Sequence, residues 1–239
     1  MKRLGFLKNT KIREIPWIPM LRQPRKTIRK VLRANPRKNV VLLGMFYGLL
    51  YAIRGIFSSE NAGILFNPLA LLLVLLLAPI FSVLYLHVQG GLTSITGGLL
   101  GGKGGWKELT AAFAYANIVF ILSSILILAL SVFLVLIGAI IGIGDMAANP
   151  AYLRDGIVYI FAFAAGIIQL IILIVAVSEA HKFSKWRALG SILLTGLIIA
   201  LFTYLVVSVF SGVFSSTGSQ LFDSRMFSNG LTLQQNPLG

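Results

Sequence analysis

Residues 69–88 read LALLLVLLLAPIFSVLYLHV, twenty residues without a Lys, Arg, Asp or Glu. A helix needs about 20 mostly apolar residues to cross the hydrocarbon core of a bilayer. The rest of the 239-residue chain has a similar character, since 57% of all residues are hydrophobic and only 12% are charged. Soluble domains carry about a quarter charged residues. The stretch therefore predicts a membrane-spanning helix, and the composition predicts a membrane protein.

Four other apolar runs of comparable length accompany this stretch. Together the five runs predict five spans, at about 40–57, 69–88, 116–143, 157–177 and 189–210. The apolar run that contains the third span starts at Leu109 and is too long for one crossing. We therefore expect Leu109 to Tyr115 to lie in the membrane interface. The end of the second helix is left open, because the Gly-rich, Ser-rich and Thr-rich stretch after Val88 allows the helix to continue toward Leu100.

The basic residues are distributed unevenly along the chain. Of the 21 Lys and Arg residues, 13 lie between Lys2 and Lys38, before the first span. Because basic residues accumulate on the cytoplasmic side of membrane proteins, we expect a cytoplasmic N-terminus and, after five crossings, an external C-terminus. The predicted fold is all-α and polytopic, with a basic segment (1–38), a five-span membrane domain (39–211) and a polar C-terminal tail (212–239).

A short amphipathic helix is predicted at 24–35, within the basic segment. Its apolar residues Ile28, Val31 and Leu32 follow helical spacing, and they are surrounded by Arg25, Lys26, Arg29, Lys30 and Arg33. Such a helix can lie on the cytoplasmic leaflet with its apolar stripe toward the lipid. Its basic residues would then contact anionic lipid headgroups or a protein partner. The alternative is a basic tail that sets the orientation and contacts nothing specific.

The sequence argues against metal sites and nucleic-acid binding. It has no cysteine, and its two histidines, His87 and His181, are too few for a multi-histidine metal site within one chain. Nucleic-acid binding, a common function of basic proteins, is excluded because the chain lacks a soluble scaffold to present its charge. We therefore expect no metal and no cofactor.

Two short motifs resemble catalytic signatures without completing them. Residues 97–103 spell the G-x-x-x-x-G-K of a phosphate-binding loop, but Gly104 stands where a Ser or Thr would bind Mg²⁺. Residues 142–145 spell the G-x-G-D of intramembrane aspartyl proteases, but no earlier span supplies the second carboxylate that this chemistry needs. We expect no catalytic residue in this chain.

Small residues recur at four-residue spacing on two predicted spans. The first span carries Gly44, Gly48 and Ala52, and the third carries Gly138 and Gly142. Small side chains let two helix backbones approach closely. These positions predict helix packing, and the sequence leaves open whether the partner is another span or a second protomer of a homo-oligomer.

Two loops on the predicted cytoplasmic side have a distinctive composition. The first reads GGKGGWKELT at 101–110, followed by FAYAN at 113–117, and the second reads SEAHKFSKWRA at 178–188. Their residues Trp106 and Trp186 suit the headgroup level of a bilayer. The candidate residues in these loops are Gly101, Gly102, Lys103, Trp106, Glu108, Tyr115, Glu179, His181, Ser184, Trp186 and Arg187.

In these loops the chain resembles the Yip family, named for interaction with Ypt and Rab GTPases. That family is marked by a GGKGS-x-K-E-L loop before a GYA or GYS helix start, and by a later S-E-x-H-x-x-S-x-x-R-A loop before the last span. The resemblance covers about 18–211 and implies five spans with a cytosolic N-terminus. Because the D-L-x-G-P motif of eukaryotic trafficking members is absent and Ala114 replaces their Gly before Tyr115, the chain is closer to the bacterial branch. This argues against GTPase binding and implies a bacterial cytoplasmic membrane.

Two functional hypotheses follow from the residues and the resemblance. The leading one is a non-enzymatic integral membrane protein that organises the membrane, or recruits an unidentified protein partner, through the basic helix and the two loops. The alternative is a small-solute permease or permease subunit, whose path would be lined by the polar residues Asn117 and Gln169 within the spans.

Overall fold

The computed structural model describes residues 15–56, 65–141 and 150–221. These residues form helices and contain no strand, which confirms the prediction of an all-α protein. In chain order the helices of the described part are α1 (Trp17–Arg22), α2 (Pro24–Ala34), α3 (Val40–Ile56), α4 (Pro68–Leu99), α5 (Trp106–Ala116), α6 (Ile118–Ile141), α7 (Pro150–His181) and α8 (Lys185–Leu221).

The apolar helices have the lengths that membrane crossing requires. Within the described residues, four segments are long and apolar enough to cross a bilayer, and α3 is a shorter apolar helix; the four are Pro68–Leu99, Trp106–Phe133, Val158–His181 and Lys185–Ser211. The protein is therefore a multi-pass membrane protein. The described residues up to Thr195 form one compact unit, and α8 continues from Gly196 as part of a second. The packing described below is that of the first unit.

Three helices of the described part, α4, α7 and α8, are longer than the predicted spans. Helix α4 has 32 residues and ends at Leu99, so the stretch after Val88 does continue the helix. At 1.5 Å per residue α4 is about 48 Å long, which exceeds the hydrocarbon core of about 30 Å. Helix α8 continues to Leu221, past Gly212, where the sequence predicted the start of a polar tail.

The segment predicted to lie in the membrane interface is buried within the protein core, and its depth in the membrane stays a prediction. Helix α5 ends at Ala116, α6 starts at Ile118, and every residue from Leu109 to Ala116 is buried. The alanines of α5 are small enough to let α3, α4 and α7 approach it closely. Because protein covers this segment on all sides, it does not present the lipid-facing side of an interfacial helix.

The ridge of small residues on α3 packs against α4. Gly44, Gly48 and Ala52 are buried, and the Gly44 carbonyl accepts a hydrogen bond from the Ser82 hydroxyl at 2.8 Å. A Cβ on Gly48 would lie 2.6 Å from the Ala78 carbonyl oxygen, too close for any larger residue. These positions therefore serve packing within one chain. On the third apolar run, Gly138 lies in α6 and Gly142 is outside the described residues.

The apolar stripe of α2 is buried in protein rather than turned to lipid. Ile28 is 0% exposed and Val31 is 1% exposed, and both belong to the core around α5. Helix α2 contacts α5 and α7. The structure thus contains the predicted helix, at Pro24–Ala34, but gives its stripe a partner that the sequence did not indicate.

Candidate functional site

The two distinctive loops meet at the imidazole of His181. We call residues 100–105 the glycine loop and residues 182–184 the α7–α8 loop, and together they form the loop end of the first unit. His181, the last residue of α7, is 1% exposed. Its backbone carbonyl accepts the Lys103 N–H at 3.1 Å, and its Nδ1 lies 3.1 Å from the Gly104 backbone N. The glycine loop is therefore bonded to both the backbone and the side chain of one residue.

The partners of His181 fix its tautomer. Nδ1 faces a backbone N–H, which can only donate, and Nε2 lies 3.2 Å from the Thr93 carbonyl oxygen, which can only accept. Nδ1 must therefore be the unprotonated nitrogen, and Nε2 carries the proton. A neutral imidazole with both nitrogens engaged by backbone groups is suited to joining segments of chain. It leaves neither nitrogen available for proton transfer.

Two glycines make room for this ring. A Cβ on Gly97 would overlap Nε2 of His181 and would lie 2.5 Å from Cε1, and one on Gly102 would lie 2.6 Å from Cγ. Real Cβ contacts are essentially never this short. Gly101 has a different requirement, because its φ of 83° is in the left-handed region that glycine adopts without strain. The sequence of the glycine loop is thus explained by the ring that it encloses and by the tight reversal after α4.

A cluster of buried hydroxyl groups connects the end of α4, next to His181, to the start of α8. Thr96 Oγ1 lies 2.8 Å from Thr195 Oγ1 and 3.0 Å from Ser191 Oγ, and Thr93 Oγ1 donates to Thr195 Oγ1 at 3.2 Å. All four residues are buried. Buried hydroxyls cost free energy unless they are paired, and here they pair with each other across α4 and the start of α8. These four residues do not stand out in the sequence, where the signal for them is a helical spacing within each helix.

Glu179 attaches α2 to the loop end. Its carboxylate accepts hydrogen bonds from Arg29 Nε at 2.9 Å and Arg29 Nη2 at 3.0 Å, and a further one from Arg25 Nε. The hydrogen bond to Glu179 raises the pKa of the Arg29 guanidinium above its ordinary value. Two of the five basic residues assigned to lipid or partner contact are therefore paired within the protein, and the other three, Lys26, Lys30 and Arg33, are exposed.

The α7–α8 loop is held by its own hydrogen bonds. Lys182 follows α7 with a φ of 59°, and the Phe183 N–H donates to the Ser178 carbonyl at 3.2 Å. The Ser184 hydroxyl oxygen lies 3.5 Å from the Arg187 backbone N, at the N-cap position of α8. The loop is thus a defined turn between two helices.

The two tryptophans of the loops lie in different environments. Trp106 donates its indole N–H to the His87 carbonyl at 2.9 Å, alongside α4. Trp186 lies in the first turn of α8 and is 82% exposed. Near it, the Arg187 guanidinium lies against the glycine loop, since a Cβ on Gly101 would be 3.6 Å from Nη1. Arg187 thus lies next to Gly101 of the glycine loop, whereas Trp106 lies beside α4.

Two other candidate residues of the first loop stabilise α5. The Tyr115 hydroxyl donates to the Lys38 carbonyl at 3.1 Å, just before α3, and the Tyr115 side chain is buried. Glu108 lies in the first turn of α5, where a carboxylate interacts favourably with the helix dipole. Tyr115 thus connects the end of α5 to the start of α3, and Glu108 lies at the start of α5.

The polar residues proposed to line a solute path are bonded to one another. Gln169 Nε2 of α7 donates to Asn117 Oδ1 at 3.0 Å. A hydrogen bond between helices is the usual role of such residues in membrane proteins. No three His, Asp or Glu side chains come together as metal ligands in the part of the chain that the structure describes.

The chain is similar to a known protein family. A family model described as the Yip1 domain matches residues 18–209. No curated protein and no solved structure matches the chain significantly. The match covers most of the chain and includes both loops, the residues that enclose His181, and α2 with its contact to Glu179. The chain therefore belongs to the Yip1-domain family.

Proposed function

We propose that this protein is a non-enzymatic membrane scaffold that recruits a protein partner to the cytoplasmic face through its loop end. We expect the N-terminus in the cytoplasm, because the basic residues before α3 outnumber those of every other segment. The closer resemblance to the bacterial branch of the family supports a bacterial cytoplasmic membrane. The same features make GTPase binding a poor proposal for this chain.

One observation supports recruitment above the others: the joint at His181 holds exposed side chains in a fixed arrangement. The glycine loop is bonded to His181 at the end of α7, and Thr96 near the end of α4 is bonded to Ser191 at the start of α8 through buried groups. On the outside of this joint lie Lys103, Lys185, Trp186 and Arg187, all exposed. Aromatic and arginine side chains supply much of the binding energy at protein interfaces. A rigid surface of this kind suits a partner with apolar and acidic groups.

Site-specific photocrosslinking tests this proposal. A photoreactive phenylalanine analogue placed at Trp186 in living cells is expected to give a protein adduct of defined mass, which the charge reversal Lys185→Glu should abolish. Tyr159 is the matched control, since it is also an exposed aromatic residue, at 72%, but lies on the apolar part of α7. The analogue at Tyr159 should capture lipid only. Lipid adducts alone at both positions would contradict recruitment through this surface.

A flux measurement distinguishes this proposal from the permease alternative. Because Asn117 and Gln169 hydrogen-bond to each other, we expect Gln169→Leu to change the stability of the protein. We expect no uptake of a small solute that depends on Gln169. Uptake of a small solute by the reconstituted protein that is lost in Gln169→Leu would favour transport instead.

A further inference from the structure

The exposed face of α2 carries basic residues in a single stripe. Lys26, Lys30 and Arg33 follow at i, i+4 and i+7 and are all exposed, so they lie on one side of the helix. The opposite side carries the buried residues Ile28 and Val31. Glu179 contacts this helix through Arg25 and Arg29, and no Asp or Glu occurs in the sequence between residues 15 and 59.

The chain places this stripe just before the first apolar helix. Helix α2 ends at Ala34, only a few residues before α3 starts at Val40, and α1 contacts α6. The hydrogen bond from Tyr115 to the Lys38 carbonyl brings the starts of α3 and α6 side by side. The end of α2 is thus only a few residues from the first turn of the apolar helix α3, and we expect that turn at the level of the lipid headgroups.

The core contacts also determine how α2 meets the membrane. A surface helix usually binds by inserting its apolar side between the lipids, but that side of α2 is occupied by α5 and α7. Arg25 and Arg29 are held by Glu179. Only charge remains for an external ligand, and it is supplied by a helix that is already folded and fixed.

We propose that Lys26, Lys30 and Arg33 bind the headgroups of anionic phospholipids, on a helix that does not insert into the bilayer. The position just before the first apolar helix favours lipid over an acidic protein, because headgroups surround the start of a membrane helix at all times. Arg25 and Arg29 are positioning residues that orient the stripe through Glu179. This inference rests on membrane embedding alone and stands whether or not the loop end recruits a protein.

Lipid selectivity of the full-length protein tests the inference. The protein is reconstituted in phosphatidylcholine with a trace of spin-labelled phosphatidylglycerol or spin-labelled phosphatidylcholine, and electron paramagnetic resonance gives the fraction of each probe immobilised at the protein. A basic residue near an anionic surface favours binding by about fivefold, less in salt. In the variant K26Q/K30Q/R33Q, we expect the preference for phosphatidylglycerol to fall about fivefold or more, and in wild type to weaken as salt is added.

Matched variants separate the stripe from overall charge and from folding. The variant K103Q/K107Q/K185Q removes the same charge from the glycine loop and from the first turns of α5 and α8, and it should keep the preference. The charge-preserving K26R/K30R/R33K should keep it as well. Unchanged selectivity in K26Q/K30Q/R33Q with unchanged thermal stability would overturn the inference. Loss of selectivity in K103Q/K107Q/K185Q alone would also overturn the inference. A protein that shows no lipid preference but binds soluble polyglutamate through the stripe would overturn it too, because this result would indicate an acidic protein ligand.

Discussion

At the scale of single residues, the side chain of His181 organises the loop end. Its ring satisfies a backbone N–H of the glycine loop and a carbonyl of α4 at the same time. Neither bond can be replaced by water without opening the core, because the ring is enclosed by glycines whose Cβ atoms would overlap it. Effects of substitution should therefore be concentrated at the positions that touch the ring.

Adjacent glycines at the end of α4 provide the sharpest comparison. Gly97→Ala should lower the free energy of unfolding by about 1–3 kcal/mol, because the new methyl group overlaps the imidazole. A Cβ on Gly98 has no neighbour within 4 Å. Gly98→Ala should therefore raise the free energy of unfolding by up to about 1 kcal/mol, since alanine favours the helix. Unfolding by sodium dodecyl sulfate in mixed micelles measures both. Equal effects of the two substitutions would contradict the described position of the ring.

The histidine itself provides a second prediction. His181→Ala leaves a cavity and an unpaired Gly104 N–H, so we expect a loss of about 2–4 kcal/mol in the free energy of unfolding and faster hydrogen exchange in residues 100–105. His87→Ala is the control, because His87 is only partly buried and its Nδ1 bonds within its own helix, to the Val83 carbonyl. A loss no larger than that of the control would show that His181 does not hold the loops.

The sequence allowed the main residue to be identified, but not its surroundings. His181 and the glycines of the loop stood out because of their spacing and their resemblance to a family pattern. The hydroxyl cluster of Thr93, Thr96, Ser191 and Thr195 did not, because an isolated hydroxyl in an apolar helix is equally compatible with bonding to its own helix backbone. Only the three-dimensional pairing of α4 with α8 distinguishes the two.

At the scale of secondary structure elements, α2 shows how far amphipathic spacing can be interpreted. The helix was predicted at 24–35 and lies at Pro24–Ala34. Spacing indicates that one side of a helix is covered, but it carries no information on whether lipid or protein covers it. The same ambiguity applied to Leu109–Tyr115, where apolar residues predicted contact with the membrane interface and the structure has a buried helix.

The end of α7 provides a prediction at this scale. Lys182 has a φ of 59°, and a left-handed conformation costs a non-glycine residue about 1–2 kcal/mol. Lys182→Gly should therefore raise the free energy of unfolding by about 1 kcal/mol. Lys185→Gly, at the first residue of α8, should leave it unchanged or lower it. Stabilisation by both would point to loss of charge rather than relief of backbone strain, and a decrease with Lys182→Gly would contradict the described turn.

The contact of α2 with Glu179 provides another prediction. Glu179→Gln removes the charge that holds Arg25 and Arg29, so trypsin should cleave within α2 faster than in wild type. Glu108→Gln, which changes an acid in α5, serves as the control for loss of negative charge. Equal cleavage rates in both variants and wild type would mean that packing of Ile28 and Val31 alone retains the helix.

At the scale of the whole molecule, hydropathy and charge predict more of the structure than they do for single residues or single helices. The apolar runs were long enough to predict an all-α multi-pass protein, and the described part of the chain has four long apolar segments and one shorter helix. The exact extents were less predictable, because helices such as α4 continue past the apolar run into Gly-rich and Thr-rich sequence. The side of the membrane that holds the loop end is a prediction from the basic residues.

Labelling of single cysteines tests this arrangement most directly, and the native chain has no cysteine to interfere. Cysteine is introduced singly at the exposed residues Lys103 and Lys185, and at Arg154 beyond the other end of the span in α7, and a membrane-impermeant maleimide is added to intact cells and to inverted vesicles. We expect Lys103→Cys and Lys185→Cys to react only in inverted vesicles and Arg154→Cys only in intact cells. Reaction of Lys103→Cys and Lys185→Cys from opposite sides, or of both in intact cells, would contradict a loop end joined at His181 on the cytoplasmic face.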